Sequence, residues 1–164
     1  MIDAATLLAY KGWANELLYG ALVDLPAAVL TAPSRLIFGD ILRTLHHCVA
    51  MDEVWQAHLE GRAHGYSTRN PNECPTLSEL RDRQERLDQW YCDYAASLEV
   101  AALRERVSFR FIGGEPGEMG RGEILLHVAN HATYHRGHIT ALLYEAGHRP
   151  PTTDLPVYLQ TLKR

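Results

Sequence analysis

The chain has 164 residues, of which 46% are hydrophobic and 22% are charged. This length suits one domain spanning residues 1–164, and the composition is that of a globular protein rather than a disordered one. Sixteen basic and 20 acidic residues give a formal net charge of −4, so no broad cationic surface for nucleic acid is expected. The 3 cysteines include no Cys-x-x-Cys pair, which leaves a disulfide framework or zinc knuckle without support.

Apolar side chains spaced at three and four residues predict four long helices, over residues 3–24, 39–60, 76–98 and 121–146. Thr76 followed by Glu79 is the pattern of a capping box, which marks the start of the third helix. The segment 25–38 is long enough to cross over the bundle, so the order in which the helices pack stays open.

Segment 106–121 has a different pattern from the rest of the chain. Val107, Phe109 and Phe111 alternate with polar residues, and a glycine-rich stretch follows. Alternation of this kind predicts a short β-hairpin before the last long helix. The predicted fold class is therefore an all-α four-helix bundle with a short β-hairpin insertion.

The N-terminal sequence lacks the features of a signal peptide. An acid stands at position 3, and charges interrupt the apolar stretch that follows. The chain also lacks a run of about 18 uncharged apolar residues that would span a bilayer. We therefore expect a cytoplasmic protein with no membrane partner.

The fourth predicted helix carries a stripe of histidines. The chain has 9 histidines, and those of this helix are His127, His131, His135 and His138. At about 100° per residue they fall within about 80° of one another. Ile124 and Leu142 lie at about 60° on the same helical wheel, so the stripe shares the apolar, inward face. Imidazoles directed into a core need polar partners.

A metal ion is one such partner, because histidines four residues apart can chelate one ion. His127 and His135 are about 12 Å apart along the axis, which leaves the pairs 127/131 and 131/135. The wheel favours 131/135. The alternative to a metal site is that the histidine stripe is a solvated polar face, or that its members are single core histidines bonded to carbonyl groups.

A third ligand would come from the second helix, which offers His46, His47 and His58. The main apolar stripe of this helix lies closer to His46 than to His47. Apolar residues lie on both sides of the helix, however, so its wheel does not decide between these two. Asp52 is a candidate for orienting a ligand histidine from behind or, alternatively, a solvated or helix-capping acid. Cys48 is a candidate nucleophile or, alternatively, a small core residue.

Four stretches of the chain resemble the DinB family of metal-binding four-helix bundles: YKGWANELLYGAL (10–22), FGDILRTLHHCVAMDEVW (38–55), ILLHVANHATYHRGHITALL (124–143) and PPTTDLPVYL (150–159). The resemblance implies metal coordination by His47, His131 and His135. His138 stands where the family commonly has glutamine, and this departure makes it a candidate donor behind a ligand or an additional ligand. His46 and His127 remain candidates for the same two roles.

Three imidazole ligands leave one position of a tetrahedral ion open, as in reactive rather than closed sites. An all-nitrogen site suits a divalent ion such as zinc or nickel. The resemblance implies a metal-dependent enzyme that uses a low-molecular-weight thiol on a small-molecule substrate, as an S-transferase or a related hydrolase. It also implies a homodimer. The catalytic residues are unassigned.

The alternative function is a non-catalytic stress or binding protein whose ion holds two helices together. A fourth protein ligand would then close the site, and His138 and His58 are the candidates for it.

Overall fold

The computed structural model describes residues 3–36 and 38–163. Its elements are α1 (Ala4–Leu22), α2 (Ala27–Leu30), α3 (Ile41–Leu59), α4 (Leu77–Ser97), β1 (Arg106–Arg110), β2 (Pro116–Gly120), α5 (Arg121–Glu145) and α6 (Leu155–Thr161), with a 3-10 turn at Ala102–Arg104. The predicted helical bundle with a hairpin before the last long helix is confirmed. Each long helix begins and ends within two residues of its predicted bounds, whereas α2 was not predicted inside 25–38.

Side-chain caps set where three of the long helices begin. The carboxylates of Asp3 and Asp40 each accept a hydrogen bond from the backbone N–H three residues on, at 2.9 and 2.7 Å. The predicted capping box is confirmed: Glu79 N–H donates to Thr76 at 3.3 Å, and Thr76 N–H donates to Glu79 at 2.8 Å. These bonds satisfy donors that have no partner inside the first helical turn.

The four long helices do not pack in chain order. Helix α1 has its main contacts with α4 and α5, and α3 likewise packs on α4 and α5. The connection through α2 therefore crosses the bundle, and α1 and α3 lie diagonally opposite each other. This arrangement places α3 beside α5, the two helices that carry the candidate metal ligands.

The hairpin covers the bundle beside α3 and α5. Its strands are antiparallel, with Phe109 opposite Gly117. Phe109 is buried, and its ring packs against Trp55 and His58 of α3, with centroids 5.0 Å away in both cases. A Cβ at position 117 would lie 2.6 Å from the Phe109 ring, so only glycine permits this approach.

The core lies between the four long helices. Its most deeply buried large side chains include Leu8, Leu22, Ile41, Val49, Leu80, Tyr91, Ile124, Leu125, Val128, Ile139 and Leu143. None of the helices in residues 3–36 and 38–163 combines the length and the apolar character needed to cross a membrane.

Candidate metal centre

Three histidine side chains converge where α3 packs against α5. His47 Nε2 lies 3.2 Å from His131 Nε2, which in turn lies 3.1 Å from His135 Nε2. All three nitrogens lie within 4.8 Å of one another, and His47 and His135 are buried. The structure thus brings together the three residues that the resemblance implied as ligands.

This spacing fits a shared cation. Two nitrogens that are each about 2.1 Å from one tetrahedral ion stand about 3.4 Å apart, close to the two measured distances. Among the residues that the structure describes, the group contains these three histidines and no fourth ligand. The donor set is imidazole nitrogen throughout, which suits a divalent transition metal.

The ring of His47 is held from behind by the loop between α3 and α4. Its Nδ1 donates to the backbone carbonyl of Arg69 at 2.8 Å, which leaves the lone pair of Nε2 directed at the cluster. Phe38 stacks on a face of this ring, with centroids 4.2 Å apart. The ring orientation is therefore set before any ion binds.

His138 lies behind His135 rather than beside the three nitrogens. The Nδ1 atoms of the two rings are 3.3 Å apart, at hydrogen-bonding distance, while Nε2 of His135 faces His131. Of the two roles expected for His138, the geometry matches the donor or acceptor behind a ligand. As an additional ligand it would have to join the group of three, and it does not.

Burial keeps the cluster in the protonation state that binds metal. Desolvation, together with a smaller effect of neighbouring imidazoles, lowers the pKa of His131 to about 3 and that of His135 to about 4. Burial also lowers the pKa of His47. All three rings are therefore neutral near pH 7, as ligation requires.

Other histidines considered from the sequence lie outside the group. His46 is buried on α3, and its Nδ1 finds no hydrogen-bond partner within the part of the chain that the structure describes. His127 lines the same cavity as the cluster, with its ring centroid 4.9 Å from that of Trp55. His58 also lines this cavity and stacks on Phe109.

Asp52 does not orient a histidine, contrary to the expectation from sequence. Its carboxylate lies 2.6 Å from Lys11 Nζ and accepts a hydrogen bond from Gln84 at 2.9 Å. Lys11 also pairs with Asp88, and all four of these residues are buried. A buried amine needs a carboxylate partner more strongly than a neutral imidazole does, so Asp52 belongs to this ion group.

Cys48 follows His47 directly but takes no part in the cluster. Burial raises the pKa of its thiol to about 12. The thiol is therefore protonated near neutral pH. This favours the interpretation of Cys48 as a small core residue over that of a nucleophile.

The cluster opens into a cavity of about 470 Å³. Its walls include Trp55 from α3 and Phe111 and Ile112 from the hairpin turn. A larger groove of about 930 Å³ lies next to it, lined in part by His58, and does not include the three ligands. Sequence reasoning missed the hairpin's part in this cavity, although the two apolar residues at its turn were a visible signal.

Three imidazoles that converge between two adjacent helices and face a cavity define a class of helical bundles that could hold a metal ion in the core. The chain matches the DinB family over residues 1–163, and it belongs to that family. It is 28% identical over 162 residues to Protein DinB of Bacillus subtilis (strain 168), covering 95% of this chain and 93% of that one. A crystal structure of a DinB-like protein from Bacillus cereus ATCC 10987 has a similar fold, with a TM-score of 0.64 at 19% identity, over 85% of this chain and 90% of that one.

The neighbouring histidines of α3 provide a matched test of the site. His47→Ala is expected to weaken metal binding by about tenfold or more, since it removes one of three nitrogens. His46→Ala, which removes an equally buried ring outside the group, is expected to leave metal content unchanged. Elemental analysis of the two purified variants measures the difference, and the reverse result would reassign the ligand.

Proposed function

We propose that this protein is a metal-dependent enzyme that holds one divalent cation, zinc or nickel, on His47, His131 and His135. It transfers a group between a low-molecular-weight thiol and a small-molecule substrate, or catalyses a related hydrolysis. The observation that carries the proposal is the convergence of three Nε2 atoms at the wall of a cavity large enough for a small organic molecule.

When bound, the cation supplies Lewis acidity, lowering the pKa of a thiol or water at its open position. The residues of the chain orient the imidazole rings and exclude water from the site. The Arg69 carbonyl and His138 hold two of the rings from behind, at 2.8 and 3.3 Å. Apolar walls keep water away, which strengthens electrostatic interactions within the cavity.

The open coordination position favours catalysis over a purely structural ion. A structural zinc site usually has four protein ligands. His138 and His58 are the residues that would supply the fourth, and neither belongs to the group of three that the described residues form. His58 instead lines the cavity and stacks on Phe109.

Metal-dependent thiol binding tests the proposal. The protein is loaded with cobalt(II) as a spectroscopic substitute for zinc and titrated with cysteine and, as a control, S-methylcysteine. We expect a thiolate-to-cobalt charge-transfer absorption with cysteine only, because the thioether has no proton to lose. The zinc-loaded protein should then accelerate consumption of the thiol by an activated aryl chloride, whereas metal-free protein should not.

Two outcomes would contradict the proposal. A loaded protein that shows neither the absorption nor any metal-dependent turnover would support the structural ion instead. If the protein bound no cobalt, zinc or nickel, the proposed metal site itself would be wrong.

A further inference from the structure

The cavity above the three histidines is lined mainly by apolar side chains. Besides the imidazoles, its lining residues include Phe38, Met51, Val54, Trp55, Phe111 and Ile112. These come from the segment before α3, from α3 itself and from the hairpin turn. A pocket with such walls gains its binding energy from the apolar part of a ligand.

Among the residues that the structure describes, Arg69 is the only residue lining this cavity whose side chain is formally charged, and none of the lining residues is an acid. Its backbone carbonyl holds His47, which fixes the residue beside the cluster. Neighbouring arginines are paired: Arg83 binds Glu53, and Arg62 binds Glu60. The side chain of Arg69, by contrast, is exposed and forms no ion pair within residues 3–36 and 38–163.

The charge of the cavity is therefore positive. The guanidinium contributes one positive charge, and a divalent cation on the histidines would add two more. No carboxylate in the described lining offsets them. An organic cation would be repelled, whereas an anionic group would form a charge-assisted hydrogen bond with the guanidinium.

We propose that the site selects a small organic anion: a molecule with an apolar, aromatic-sized body that packs between Trp55 and the hairpin turn, and an acidic group that pairs with Arg69. This assignment of ligand class rests on the proposed function, in which the same cavity receives the substrate. Specificity then divides between two features, with the apolar walls recognising the body and Arg69 recognising the charge.

Three ligands with one apolar body separate these contributions: 3-phenylpropanoate, its neutral amide 3-phenylpropanamide and the cation 3-phenylpropylammonium. Calorimetric titration is done on metal-free and on zinc-loaded protein. We expect the anion to bind about tenfold more tightly than the amide, and the cation to show no binding. The preference should be present without metal and should increase with zinc.

Variants assign the preference to residues. Arg69→Gln keeps the backbone carbonyl that holds His47, so this variant should retain its metal content. In metal-free protein, the affinity of the variant for the anion should fall to its affinity for the amide. Phe111→Ala should weaken the anion and the amide by a similar factor, since it removes part of an apolar wall. Arg149→Gln, an exposed arginine that does not line the cavity, is the matched control and should change nothing.

The failure of this inference is distinguishable from the failure of the proposed function. Equal binding of anion, amide and cation, or an anion preference of the metal-free protein that survives Arg69→Gln, would overturn the assigned ligand class even if the protein binds zinc. Conversely, a protein without metal that still prefers the anion through Arg69 would retain this inference and lose the proposed metal chemistry.

Discussion

His131→Ala is expected to abolish stable metal binding, with metal content falling from about one ion per chain to less than about a tenth of that. His131 is central to the cluster, because its Nε2 lies within 3.2 Å of the corresponding atom of His47 and 3.1 Å of that of His135. Its loss leaves two imidazoles on different helices. Elemental analysis after dialysis against metal-free buffer measures the change.

His127→Ala is the matched control for this prediction. His127 lies one turn earlier on α5 and lines the same cavity, but it is outside the group of three. We expect this variant to keep its metal. Wild-type metal content in His131→Ala, at unchanged helical circular dichroism, would refute the three-histidine site.

Lys11→Met is expected to lower the free energy of unfolding by about 3–5 kcal/mol. Lys11 of α1 is 1% exposed and pairs with Asp52 of α3 and Asp88 of α4. The substitution keeps most of the side-chain volume but leaves two neighbouring buried carboxylates without their cation. Urea unfolding followed by circular dichroism measures the loss, with Lys163→Met, at an exposed position, as the control.

Two further experiments, one at low pH and one with asparagine replacements, test whether the lost stability comes from the unpaired carboxylates. Burial raises the pKa of Asp52, and Lys11 is the main group that opposes this rise, so its removal raises the pKa further. The pKa of Asp52 in the folded variant therefore lies further above its pKa in the unfolded chain. The loss of stability is present at neutral pH and disappears as the pH falls below the folded-state pKa, because the carboxyl group is then neutral in both states.

Replacing both carboxylates with asparagine in the Lys11→Met background should likewise recover much of the stability, because no buried charge remains unpaired. If neither low pH nor the asparagine replacements restored the free energy of unfolding, Lys11 would stabilise the bundle by packing alone.

The candidate site was predictable in part because its residues on α5 are close in sequence. His131 and His135 are four residues apart, and helix geometry alone places them on one face with the core. The wheel of α3 could not choose between His46 and His47, since both rings are buried on a helix with apolar residues on each side. Only the packing of α3 on α5 shows which ring meets the other two.

Lys11 and Arg69 show what pattern reasoning could not supply. Nothing near Lys11 in the sequence indicates that it is buried, because its partner carboxylates lie on α3 and α4. Arg69 acts on His47 through its backbone carbonyl, an atom that every residue has. The crossover that brings α3 beside α5 was equally undetermined, since the segment 25–38 permits more than one order of helices.

The amino-acid sequence by itself determined the family, the long helices, the capping box, the hairpin and the histidine pair on α5, because these depend on residues that are neighbours along the chain. The tertiary structure decided which histidine of α3 joins that pair, which carbonyl orients it, and where Asp52 finds its partner. Those outcomes are distances between residues far apart in sequence, and the packing of the helices sets them.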